Sequence, residues 1–256
     1  MAKHIVISGT YSTGKTTTTT ALALATGIPL INALSAREIL TDLYPGRKFQ
    51  EMNVTELIAL GLKRFEERIH AETELINQNS DFISDGSVLN EWIYGTVRLK
   101  VGINPGSPKY QQMIKAVLGI NSKRFLRKYL DAYGQVVNQH AKKTYTEVIH
   151  LPIEFEMNKD GHRPVSEKYR KLSDREIQKS FENFSGIPVY TVGGSQIERL
   201  TKIIDILKLP QVMSTKEAIE RAEKIIKESR EAISKQIIEQ YKETTLTEKI
   251  KILSKY

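Results

Sequence analysis

The sequence predicts an α/β fold, a parallel sheet with helices on both faces, followed by a C-terminal helical tail. Three observations predict it. A Gly-rich turn joins an apolar run to a helical stretch at the N-terminus, strand-like runs then alternate with helical spacings as far as Leu207, and an amphipathic stretch follows Pro210. At 256 residues the chain suits one large domain or a domain with an appendage. We expect the domain over 1–210, with 95–145 as a basic helical cap inside it, and the tail over 211–256.

The first element is a short buried strand, His4-Ile-Val-Ile-Ser8, and the turn after it is a full phosphate-loop pattern. It reads Gly9-Thr10-Tyr11-Ser12-Thr13-Gly14-Lys15-Thr16, with Thr17 opening a helix that runs to Thr26. Such a loop turns its N–H groups inward around phosphates, and the helix behind it points its positive dipole end at them. Lys15 then reaches the β and γ phosphates, and the Thr16 hydroxyl is placed to ligate Mg²⁺. Residues 9–17 are therefore the expected nucleotide contacts. Thr16 to Thr20 are consecutive threonines, poor helix formers that packing has to hold in a helix.

Leu30-Ile31 reads as a second strand, followed by a helix carrying Ile39, Leu40 and Leu43 that stops near Tyr44-Pro45-Gly46. A long helix from about Val54 to Gln78 places Leu57, Ile58, Leu62, Phe65, Ile69 and Ile76 at helical spacing. Asp81 to Ser87 is a third strand whose carboxyl end delivers Asp85. The regular part of the basic segment, Lys123 to Tyr133, puts Leu126, Tyr129, Leu130 and Tyr133 on one face and Lys123, Arg124, Arg127 and Lys128 on another. Thr146–Leu151 and Ile187–Val192 complete the strands, with a helix through Leu207. Ser173-Asp-Arg-Glu176 reads as the capping box of the helix between them. In the tail, Ile219, Ala222, Ile226, Ile233, Ile237 and Tyr241 form an apolar stripe. It needs either its own core or a partner, such as a second copy in a homodimer.

Composition limits the chemistry. With no cysteine, disulfide scaffolds, Cys-ligated zinc, iron–sulfur clusters and thiol catalysis are excluded. The histidines at 4, 70, 140, 150 and 162 lack metal-ligand spacing, which leaves Mg²⁺ as the expected metal. No apolar run approaches the ~18 residues of a membrane span, and Met1-Ala-Lys-His leads straight into Ile5, so a cytoplasmic protein is expected. Residues 95–145 hold ten basic residues and one acid, a net +9, while the rest of the chain nets −1. Basicity confined to one segment suits a local anionic ligand better than a nucleic-acid coat.

Several further residues carry candidate chemistry. Asp85 ends a strand at the edge of the phosphate loop, where a carboxylate holds Mg²⁺. Glu38 lies past the second strand, where it serves either as the base for an attacking hydroxyl or, in Ser35-x-x-Glu38, as a helix cap; Arg37 is a substrate contact on the same logic. Arg163, in the loop Asp160-Gly-His-Arg163-Pro164, can swing over the phosphates, and Arg170 is a second such cation. Arg124 and Arg127 either form a solvated face or hold an anionic acceptor. Phe125, Tyr129 and Tyr133 beside them also permit single-stranded nucleic acid.

Taken in order, the phosphate loop, Ala36-Arg37-Glu38, Phe82-Ile-Ser-Asp85, Asp160-Gly-x-Arg163 and Gly193-Gly-Ser-Gln-Ile-Glu-Arg199 resemble the small P-loop ATPase/kinase family. That family includes the ribosylnicotinamide kinase domain of bifunctional bacterial NAD regulators, and the likeness spans roughly residues 3–207. The resemblance implies a nucleoside-kinase-like fold, ATP and Mg²⁺, and transfer of the γ-phosphoryl to a hydroxyl. It places Lys15, Thr16, Asp85 and Arg163 in the phosphate, metal and lid roles. The chain departs from the family in lacking an adenylyltransferase domain, in its +9 segment and in its tail. The leading expectation is an ATP-dependent kinase of a nucleoside or similar small hydroxyl compound, anionic or neutral. A kinase of nucleic-acid ends and a nucleotide-dependent switch whose tail engages a partner are the alternatives. A GTPase is disfavoured, because Asn158-Lys-Asp160-Gly161 has its acid one position too early for a guanine signature.

Overall fold

The computed structural model describes residues 2–32, 36–46, 52–101, 120–156 and 166–241, without the side chains of 36, 37, 120–122 and 236–241. Strand β1 (His4–Ser8) has Ile5, Val6 and Ile7 fully buried, as befits a central strand covered on both faces. With β2 (Leu30–Ile31), β3 (Phe82–Asp85), β4 (Glu147–His150) and β5 (Val189–Thr191) it forms a parallel sheet in the order β2-β3-β1-β4-β5. These strands lie within two residues of the expected runs. Register pairs Ile7 with Asp85 on one side and Ser8 with His150 on the other. The chain thus leaves β1 in one direction for β2 and β3, then crosses to β4. That reversal opens a crevice at the carboxyl ends of the strands, where the phosphate loop sits.

The period-2 alternation of the strands divides the core. Val6, Phe82 and Val148 face the layer made by α3 (Val54–Asn77), α4 (Leu89–Val101), α5 (Ile120–Thr144) and α6 (Glu167–Glu182). Ile5, Ile7, Ile83 and Ile149 face α1 (Lys15–Thr26), α7 (Gln196–Leu207) and α8 (Thr215–Tyr241). The short α2 (Ala36–Leu43) packs Ile39 and Leu40 against Met52 and Leu60 in a third, smaller cluster.

Helix α1 shows how packing overrides propensity. Thr18, Thr19 and Thr20 are buried, Thr19 Oγ1 donates back to Lys15 O at 2.6 Å, and Thr18 Oγ1 donates to Gln196 Oε1 at 3.0 Å. The Thr18 and Thr19 hydroxyls thus each find an acceptor, one across to α7 and one in the preceding turn. The tail folds onto its own chain: Val212 N and Met213 N donate to Ala25 O, and Ala218, Ile219 and Ala222 are buried among Ala21, Leu22 and Ala25.

One expected cap is corrected. Helix α6 begins at Glu167, capped by Ser166, whose Oγ accepts from Tyr169 N at 3.2 Å. Ser173 is buried in mid-helix on the stripe Tyr169, Arg170, Ser173, Ile177 and Phe181. The apolar stripe extends one turn N-terminal to Ser173, so the helix starts earlier than the Ser-x-x-Glu pattern suggests. The other expected box cannot be placed, since Ser35 lies outside the described residues.

Candidate functional site

The loop between β1 and α1 has the backbone of a phosphate cradle. Gly14, at the N-cap of α1, sits in the left-handed region (φ 83°), which favours glycine, and a Cβ there would displace the end of the Gln196 side chain, whose Nε2 lies 2.8 Å away. Ser12 is held at φ 56°, an uncommon conformation for a residue with a side chain. Lys15 Nζ folds over the loop to donate to Thr10 O at 3.0 Å, and Thr13 Oγ1 donates to the same carbonyl.

Two buried arginines hold the loop from behind. Arg170, 1% exposed, donates from Nε to Tyr11 O at 2.8 Å and from Nη2 to Ser12 O at 3.2 Å and Phe155 O at 2.8 Å. Arg199, fully buried, donates from Nη1 to Thr13 O at 2.5 Å and from Nη2 to Glu154, with its guanidinium 4.8 Å from the centre of the Phe155 ring. These bonds draw the carbonyls of residues 11–13 toward the two arginines, the arrangement expected of a loop that turns its N–H groups toward an anion. Arg199, and then the Gly194 N–H, hold the Glu154 carboxyl below the usual carboxylate range. Arg170 is thus placed beneath the loop, its Nε, Nη1 and Nη2 each bonded, to the Tyr11, Ser12 and Phe155 carbonyls and to the Glu167 carboxylate at 3.2 Å.

On the β3 side, Thr16 Oγ1 donates to Asp85 Oδ2 at 2.8 Å. These are two hard oxygen donors at the mouth of the loop, the donor set Mg²⁺ takes alongside phosphate oxygens and water. Asp85 is itself aimed by Arg68, 4% exposed, which donates to Ser84 Oγ, Gly86 O and Asp85 O. Among the described residues no group of three or more acidic or histidine side chains forms a metal cluster.

A cleft lies between α3, α4 and α5. Its floor is apolar, from Ile58, Leu126 and Leu130, and its polar groups are Glu91, Arg98 and Tyr129, in a cavity of about 60 Å³. Glu91 is ion-paired with Arg64 of α3. Burial disfavours the Arg64 charge, but Glu91, Tyr11, Tyr94 and Asp85 more than offset it, so the guanidinium stays protonated. Burial pushes the Tyr129 hydroxyl up to about 12. The P-loop residue Tyr11 stacks on Tyr94 of α4, centroids 4.6 Å apart, and on Tyr169 of α6 at 6.2 Å. Tyr169 in turn donates to Tyr94 O at 3.1 Å, tying the phosphate loop to the cleft wall.

The structure therefore brings Gly9–Thr17 and Asp85 together, as the sequence predicts. Glu38 is half-buried in the first turn of α2, just past β2, whose strand neighbours β3. Arg124 and Arg127 are exposed, and Leu126, Tyr129, Leu130 and Tyr133 of the same helix line the cleft. Arg163, its loop from Asp160, and the Arg37 side chain lie outside the described residues. Sequence reasoning missed Arg64, Arg68, Glu91, Arg98, Glu154 and Arg199. A signal existed for two of them: Arg64, Arg68 and the fully buried Glu72 repeat every four residues along α3, beside its apolar stripe.

A phosphate cradle at the carboxyl edge of a five-stranded parallel sheet, with a carboxylate bonded to its terminal threonine, defines a P-loop protein. An AAA-domain family model matches residues 4–199, and the chain belongs to that family. Among curated proteins no sequence match is found. Among solved structures the chain is similar to a deoxyadenosine kinase from M. mycoides with bound dATP, at TM-score 0.55 and 16% identity, over 80% of this chain and 99% of that one. It is likewise similar to the same enzyme with products dCMP and dCDP, at TM-score 0.51 and 16% identity, over 80% of this chain and 98% of that one. The fold is that of a P-loop nucleoside kinase. Among the described residues no helix is long and apolar enough to cross a membrane.

Proposed function

We propose that the chain transfers the γ-phosphoryl of ATP to a hydroxyl of a nucleoside or nucleoside-like small molecule. The observation that carries this reading is the 2.8 Å bond from Thr16 to Asp85, which sets a carboxylate at the phosphate loop, while Tyr11 of the same loop stacks on Tyr94 of α4, a helix that walls the cleft. The loop N–H groups and Lys15 hold the β and γ phosphates, and Thr16 and Asp85 would hold Mg²⁺, which when bound neutralises charge on the transferring group. Asp85, Glu38 or Glu91 accepts the proton of the attacking hydroxyl, and Arg163 supplies a further cation over the phosphates. Most of the catalysis is positioning and charge neutralisation.

The cleft favours a small acceptor over a polynucleotide end or a pure switch. Its apolar floor suits a ring, while Glu91 and Arg98 offer an acceptor and a donor of hydrogen bonds. At about 60 Å³ it is small beside the about 300–1,000 Å³ of ordinary ligand pockets, so acceptor entry widens it. Nicotinamide riboside and deoxynucleosides are the first candidates, from the sequence resemblance and the structural likeness respectively.

ADP release with Mg²⁺ tests this, over a panel of nucleosides, nicotinamide riboside and 5′-hydroxyl oligonucleotides, with Lys15→Ala as the blank. We expect Lys15-dependent turnover that rises with a nucleoside-type compound and yields its phosphate ester. Tight ATP binding with slow turnover that no acceptor stimulates would overturn the kinase reading in favour of a switch.

A further inference from the structure

The tail helix builds a second wall beside the phosphate loop. Helix α8 runs antiparallel to α1, because Val212 N and Met213 N bond Ala25 O at its start. From Ala25 back to Thr17 is roughly 12 Å at 1.5 Å per residue, a distance α8 covers by about residue 223. The remainder of α8 projects past the first turn of α1. There a groove of about 550 Å³ opens between Thr17 and Glu223, Ile226, Lys227, Arg230 and Glu231. The family match ends at residue 199, so this wall lies outside it.

The direction in which a donor nucleotide leaves the loop follows from α1. Thr16, bonded to Asp85, and Thr18, bonded to Gln196, lie about 200° apart around the helix, with Thr17 between them. The Thr16 side belongs to the γ-phosphate and its acceptor. On the Thr18 side Gln196, Arg199 and Phe155 crowd Gly14, with Gln196 Nε2 2.8 Å from where a Cβ would stand. Thr17 marks the open path.

We infer that the groove between Thr17 and α8 receives the sugar and base of the phosphoryl donor. This rests on the reading of residues 9–17 as the donor site. Lys227 and Arg230 supply cations for the α-phosphate or the base edge, Ile226 an apolar contact for the base, and Glu223 or Glu231 an acceptor for the sugar hydroxyls. The tail is therefore part of the nucleotide site.

The test uses the full chain, with ATP and pyrophosphate as separate ligands in titration calorimetry, since pyrophosphate fills the cradle without reaching the groove. Lys227 and Arg230 are exposed, so a Lys227→Ala/Arg230→Ala double variant keeps the fold, which thermal unfolding checks. We expect it to bind ATP about tenfold more weakly or worse while binding pyrophosphate as before, whereas Lys15→Ala weakens both. Unchanged ATP affinity in the double variant overturns the groove assignment and leaves the phosphate-loop reading standing. A wild-type chain that binds neither ligand overturns both.

Discussion

The phosphate-loop half of the site and the cleft half are built by different means. The loop works through backbone: its carbonyls at Tyr11, Ser12 and Thr13 are tied outward by Arg170 and Arg199, both almost fully buried. The cleft works through side chains from three helices, Ile58 on α3, Glu91 and Arg98 on α4, and Leu126 and Tyr129 on α5. The backbone half is fixed in place and recognises a chemistry that all nucleotides share. The side-chain half, on the proposed function, takes the acceptor and can be retuned by substitution. A site of this kind separates the constant reactant from the variable one.

The largest expected effect strikes the carboxylate bonded to the phosphate loop. Asp85→Asn keeps the size of the side chain and its bond to Thr16 while removing the charge, and turnover should fall about 10²- to 10³-fold. Pyrophosphate binding without Mg²⁺, measured by calorimetry, should hardly change. A loss of that binding of comparable size would show that Asp85 shapes the loop, and the division between the halves would fail.

Arg170→Leu attacks the backbone half from below. It leaves the Tyr11, Ser12 and Phe155 carbonyls without the donor that now serves them, in a site 1% exposed. We expect a stability loss of about 2–4 kcal/mol in urea unfolding. The KM for ATP should rise more than the KM for the acceptor. The reverse order would mean that Arg170 serves the cleft through the Tyr169–Tyr94 contact.

The same contrast explains what was legible in the sequence. A phosphate cradle needs glycines, a lysine and a hydroxyl at fixed intervals within eight residues, so Gly9 to Thr16 announce themselves, and the strand ending at Asp85 follows from a local apolar run. Arg170 and Arg199 are legible as cations. What they hold depends on contacts 159 and 186 residues away in the chain, which no local pattern encodes. Glu91 looks like one more charge in a helix until α3 supplies Arg64. The Ser173 box misled because a surface capping pattern and a buried serine in mid-helix share the same letters. Likewise the +9 segment drew attention to Arg124 and Arg127, while the apolar positions of that helix line the cleft.

The smallest effect on stability should come from Gly95→Ala, and it separates fold from recognition most cleanly. A Cβ at Gly95 would stand 2.8 Å from Leu130 Cδ2, the far end of a flexible side chain across the α4–α5 contact. Leu130 must turn away, at a cost that the better helix propensity of alanine offsets by about 1 kcal/mol. Net stability should therefore stay within about 1 kcal/mol of the parent chain. Both residues line the cleft, so the displaced leucine narrows the space an acceptor enters. The KM for the acceptor should rise several-fold, with kcat and the KM for ATP little changed. Equal rises in both KM values would mean that α4, through Tyr94 and its stacking on Tyr11, carries the disturbance into the phosphate loop, so that the two halves move as one body.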